Sequence, residues 1–211
     1  MTRDPALLAE CRALVGALRQ HPTLAALHAS PEWPELDRRL RDVLSTLRRS
    51  APARGPAPSR DRERVRAVHW NLEHGNGYPQ IEQALQEHPE LAAADLLTLN
   101  EVDLGMARAA NRDVAADLAG ALGLHAAWAP LFLETTDGRH DDAREAAGRG
   151  NQESLFGLAI LSRWPIGAAR IVELPSPTRF QYDTEGMYGR FIALVAAIER
   201  PGGPFVAVSL H

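Results

Sequence analysis

Apolar residues recur at helical spacing through the first fifty positions. Leu7, Leu8, Cys11, Leu14, Val15 and Leu18 share one face, with Asp4 as a cap and Pro5 suited to the first turn. A second stripe, Leu36, Leu40, Val43, Leu44 and Leu47, follows a start at Ser30-Pro31. Both stripes need a partner surface. From 51 to 63 the periodic pattern gives way to Pro, Ala, Gly, Ser and Arg, which predicts a linker. The alternation then changes. Short apolar runs predict strands over 65–70 and 95–100, with a helix over 78–88 between them and another over 112–122 that stops at Gly123. The second half is strand-rich, with runs over 126–132, 157–162, 168–173, 191–199 and 205–210. Turn signals such as Arg200-Pro201-Gly202-Gly203-Pro204 predict hairpins. Parallel pairing early and antiparallel pairing late make an α/β chain with a mixed sheet. Residues 1–50 read as a helical extension, 51–63 as the linker and 64–211 as the main domain. The polar stretch over 134–154 is too long for a hairpin turn and reads as a surface excursion.

Composition changes this picture little. The chain has 211 residues, 45% of them hydrophobic and 24% charged, enough for a sizeable core. Its formal net charge of -4 argues against a surface that grips nucleic acid everywhere, although a local basic cleft is compatible with it. There is no lysine; the arginines at 38, 39, 41, 48, 49, 54, 60, 62, 64 and 66 make the linker region basic, and a solvated helix face and linker is the simpler reading. The single cysteine, Cys11, lies on an apolar stripe and reads as a small hydrophobe. Asp4, Glu10 and Arg12 interrupt any secretory signal, and no run of about 18 apolar residues could span a membrane. A cytoplasmic protein is expected.

The candidate chemistry sits at two strand ends. Asn71 follows the run over 65–70, and Glu101 follows the run over 95–100. Parallel strands joined by a helix bring both oxygens to one sheet edge, where hard cations and phosphates bind. A metal-dependent phosphoesterase is the expectation. Of the remaining histidines His74, in a Gly-Asn-Gly loop near that edge, ranks highest; His69 and His125 read as strand residues without a zinc-like partner.

Four motifs then occur in order: Trp70-Asn71-Leu72-Glu73, Leu97-Thr98-Leu99-Asn100-Glu101-Val102-Asp103, Phe156-Gly157-Leu158-Ala159-Ile160-Leu161-Ser162-Arg163-Trp164-Pro165-Ile166, and Val206-Ala207-Val208-Ser209-Leu210-His211. Over about residues 65 to 211 this series resembles the endonuclease/exonuclease/phosphatase superfamily. The resemblance implies a DNase I-like four-layer α/β sandwich of two mixed sheets with helices outside, and hydrolysis of phosphoesters with Mg²⁺, Mn²⁺ being the substitute ion. It makes Glu101 the metal-binding carboxylate, Asn71 a neighbour that touches the metal or its water, and His211 a catalytic histidine at the scissile phosphate. Asp103 would support the metal site from behind, and Arg190, Asn151 and His74 would contact substrate. The implied partner is a phosphate ester: DNA or RNA, a phospholipid headgroup, an inositol phosphate or a nucleotide.

The resemblance also implies an Asp-x-Asn and a Ser-Asp-His motif beyond the position of His211. The expectation is therefore a domain incomplete at its C-terminus, catalytic in a longer parent and inactive alone. The competing expectation is a non-catalytic interaction module.

Overall fold

In the computed structural model, residues 3–53, 64–138, 141–175 and 181–211 are described. The linker expected over 51–63 lies outside them except for 51–53. Three helices open the chain: α1 (Pro5–Leu18), α2 (Leu24–Ala29) and α3 (Trp33–Leu44). Asp4 caps α1 by accepting from the Ala6 N–H at 2.9 Å, and Thr23 caps α2, a helix that the periodicity did not predict. The strands β1 (Arg48–Ser50), β2 (Ala67–Asn71), β3 (Leu96–Leu104), β4 (His125–Glu134), β5 (Leu155–Ser162) and β7 (Met187–Gly189) form one sheet in the order β1-β4-β5-β3-β2, with β7 also on β4. The strands β6 (Ile166–Glu173), β8 (Ile192–Ile198) and β9 (Phe205–Leu210) form a second, antiparallel sheet in the order β6-β8-β9.

The first sheet is mixed: β2 and β3 are parallel across the helix α4 (Tyr78–Glu87), and β3, β4 and β5 pair antiparallel. One face of it packs on the apolar stripes of α1, α3, α4 and α5 (Val114–Leu122), through Leu14, Leu18, Leu40, Leu85 and Leu118 against Leu97, Leu99, Trp128 and Leu161. The other face packs on the second sheet, through Ala127, Leu131, Leu158 and Ile160 against Ile192, Leu194, Ala196 and Ile198. Two buried faces explain why β5 is buried along its whole length and reads as a continuous apolar run rather than an alternating one. The result is the two-sheet α/β sandwich of the DNase I-like class. Among the described residues no helix covers the outer face of the second sheet, where Val206, Val208 and Leu210 are 64%, 46% and 54% exposed.

The first fifty residues share the core of the sheet. β1 arises in the basic stretch and pairs with β4, and Arg48 meets Asp113 at 2.6 Å. Arg38, Arg39 and Arg41 are likewise engaged, by Glu35 and Asp42, by Glu10, and by Asp37. Cys11 is fully buried, and burial pushes its thiol up to about 12. The excursion over 134–154 carries a short helix, α6 (Asp141–Ala146).

Candidate functional site

The register of β3 places the central carboxylate. Its pairing with β5 runs to Leu99↔Ala159 and resumes at Val102↔Gly157, so Asn100 and Glu101 form a bulge inside the strand. The sequence pattern predicted that the strand ends before Glu101; instead the apolar Val102 and Leu104 carry it on. Glu101 has φ +54°, a left-handed conformation that a long side chain adopts only where the surroundings hold it, at a cost of order 1–3 kcal/mol. Without the bulge, the alternation of Leu97 and Leu99 would point Glu101 into the helix-facing core. The bulge turns it to the edge of the sandwich instead. The indole of Trp128 donates to the Val102 carbonyl at 3.0 Å, and Gly157 makes room for that ring, since a Cβ there would lie 2.9 Å from it.

Three nitrogen-bearing groups converge on Glu101. Asn71 Nδ2 donates to Oε1 at 2.9 Å, His211 Nε2 lies 3.5 Å from Oε1, and His74 Nε2 lies 3.7 Å from Oε2. The Asn71 Oδ1 accepts from the Glu73 N–H at 3.0 Å. The amide thus holds the Glu101 carboxylate through its nitrogen while its oxygen is tied to the start of the next loop. His74 is held by an unusual backbone run: Glu73, His74 and Gly75 have φ of +48°, +68° and +85°. A side chain at Gly75 would also meet Val114 at 2.8 Å. The ring of His74 rests on Phe156 at 5.2 Å, and burial, helped by Arg108, lowers its pKa to about 4, so the imidazole is neutral near pH 7. Its Nδ1 is buried with no hydrogen-bond partner and faces Asp103 Oδ1 at 3.9 Å.

Asp103 lies behind this cluster. It is fully buried and takes a two-pronged bond from Arg108, at 2.7 and 3.0 Å. Arg108 also meets Glu134 at 2.9 Å and Asp142 at 3.1 Å, which ties β3, β4 and α6 together. The sequence reading missed this cluster, although Arg108 five residues after Asp103 in an Ala-rich stretch was a usable signal. It also passed over Asn100, a polar residue within an otherwise apolar strand.

Two expected substrate contacts are not brought to Glu101. Arg190 follows β7, on the far side of β4 and β5, where it meets Glu173 at 3.5 Å and the Leu44 carbonyl at 3.4 Å. Asn151 links two other segments: Oδ1 accepts from the Ala107 N–H at 2.8 Å, and Nδ2 donates to the Thr136 carbonyl at 2.7 Å.

No group of three or more His, Cys, Asp or Glu side chains is arranged to hold a metal among the described residues. The donor set at Glu101 is one carboxylate and neighbours that hydrogen-bond, which fits a small hard cation that keeps most of its waters and fits zinc poorly.

The profile of the Endonuclease/Exonuclease/phosphatase family matches residues 68–208, two thirds of the chain, including Asn71, His74, Glu101 and Asp103 and ending three residues before His211. The chain belongs to that family. Members of the endonuclease/exonuclease/phosphatase family are generally hydrolases of phosphoesters that use divalent metal ions. The chain is similar to the solved structure of an endonuclease/exonuclease/phosphatase from Beutenbergia cavernae DSM 12333, at 22% identity and TM-score 0.46, over 70% of this chain and 38% of that one. It is also similar to an endonuclease/exonuclease/phosphatase family protein from Leptotrichia buccalis C-1013-b, at 15% identity and TM-score 0.43, over 70% of this chain and 55% of that one. The chain thus spans under two thirds of the length of both. No curated protein matches it. No described helix is long and apolar enough to cross a membrane.

Proposed function

We propose that the chain carries the metal-binding carboxylate of a phosphoester hydrolase centre, nuclease- or phosphatase-like, in which Glu101 holds Mg²⁺, with Mn²⁺ as its substitute. The convergence of Asn71, His74 and His211 on one carboxylate at a strained bulge carries this reading. When bound, the ion would offset phosphate charge and stabilise the leaving oxygen. Asn71 orients the Glu101 carboxylate through its amide nitrogen. His211, more exposed than His74, hydrogen-bonds a phosphate oxygen or supplies a proton at Nε2. Neutral His74, its ring resting on Phe156, offers one N–H on the buried side of the site, and Asp103, paired with Arg108, does not compete for the ion.

The test is a Mg²⁺ titration of this chain followed by tryptophan fluorescence, since Trp70 adjoins Asn71, together with hydrolysis of bis-p-nitrophenyl phosphate by the full-length gene product. A saturable response that Glu101→Gln abolishes, together with metal-dependent turnover by that product, is expected. No response and no turnover would overturn the reading in favour of an interaction module.

A further inference from the structure

Asn100 touches a chain neighbour of three residues of the proposed site, Glu101, Asn71 and His211. Its own next residue is Glu101. Its carbonyl accepts from the Leu72 N–H at 3.0 Å, which fixes the chain just after Asn71. Its Nδ2 donates to the Leu210 carbonyl at 3.2 Å, which fixes the chain just before His211. The same nitrogen lies 3.4 Å from His69 Nε2, and Oδ1 accepts from Ser209 Oγ at 3.5 Å. With only 4% of its surface exposed, Asn100 spans the two sheets, from β3 to the end of β9.

Apolar packing holds the start of β9, through Phe205 and the buried Ala207, but not its end. Leu210, the last paired residue of β9, is 54% exposed, and Val208 is 46% exposed, so little apolar burial holds the strand end where it lies. Apart from the ladder to β8, the strand end is held by polar contacts, two of them to the Asn100 side chain and one from Ser209 Oγ to the Leu99 carbonyl at 3.5 Å. A buried amide is costly unless it is hydrogen-bonded, so it favours the one register of β9 in which Leu210 and Ser209 meet it.

We propose that Asn100 is the positioning residue of this site, a polar tether that docks the end of β9 on β3 and thereby sets His211 beside Glu101. The proposal rests on reading Glu101 and His211 as site residues. It acts through them and has no contact with substrate.

The test uses the whole chain labelled with ¹⁵N-histidine, with the His211 ring signals assigned by His211→Gln. In the otherwise unaltered chain, Glu101→Gln is expected to shift the His211 signals, because the carboxylate lies 3.5 Å from Nε2. In Asn100→Ala the His211 ring is expected to take the signals of a free exposed histidine, and adding Glu101→Gln is expected to leave them unmoved. Ser209→Ala, which keeps the tether to Leu210, is expected to retain the response. If Asn100→Ala does not fold, Asn100→Ser, whose shorter side chain cannot reach Leu210, replaces it. A His211 that still responds to Glu101→Gln without Asn100 overturns the proposal, as does one that never responds. A lower melting temperature with the response intact is the mark of a merely structural Asn100 and also overturns it. Failure of the Mg²⁺ titration would remove the functional reading and leave this spectroscopic result standing.

Discussion

Two carboxylates lie two residues apart on β3 and meet opposite fates. Asp103 is sealed behind the site, gripped by the fork of Arg108 and surrounded by Glu134 and Asp142. Glu101 faces the sandwich edge, and among the described residues no arginine pairs with it; its neighbours are an amide and two imidazoles. The first centre holds its own cation and therefore works as structure. The second lacks one, which is the electrostatic condition for binding a cation from outside. A carboxylate becomes a ligand by where its counter-charge comes from, not by its residue type.

The contrast predicts that stability and activity separate between the two centres. Arg108→Met should be the most damaging change, about 3–5 kcal/mol, because it leaves three carboxylates around a vacated buried cation site. Urea unfolding measures it, and a loss below about 1 kcal/mol would contradict the structural role. Glu101→Gln should behave in the opposite way, with folding stability nearly unchanged but turnover of the full-length gene product falling about a hundredfold, roughly 2.7 kcal/mol in the barrier. Ordinary turnover by the Glu101→Gln variant would remove Glu101 from the chemistry.

His74 bridges the centres and should be intermediate. His74→Asn keeps a residue that tolerates the left-handed backbone but removes the ring, and a roughly tenfold loss in turnover is expected from misplaced first contacts. Equal activity would reduce His74 to packing on Phe156.

The smallest expected effect is a slope with pH. Burial raises the Glu134 carboxyl above its ordinary value of 4.5, against the pull of Arg108 and Thr136 and helped by Asp142. Above pH 4.5 the folded chain therefore keeps a proton that the unfolded chain has released, so this group makes stability fall as pH rises through that window. Glu134→Gln should flatten the fall in pH-dependent denaturation curves; an unchanged slope would assign it to other groups.

The sequence itself carried the element order, because burial imposes periodicity. The stripes of α1 and α3, the parallel β2–β3 pair around α4, and the hairpin at 200–204 all follow from spacing, caps and turn residues. It also singled out Asn71 and Glu101 as candidates from the ends of two apolar runs, and His211 through the family resemblance. Only the tertiary structure decided which of the candidates meet. A bulge at Asn100–Glu101 shifts parity by one residue and leaves no composition signal, and it alone turns Glu101 outward. Arg190 and Asn151 carry suitable side chains, yet sheet order puts β4 and β5 between Arg190 and β3, and nearby backbone groups claim Asn151. The Arg108 cluster joins residues from positions 103 to 142, and the Asn100 tether joins 100 to 210; such pairings are chosen by the global packing of two sheets, which no local window of the chain contains.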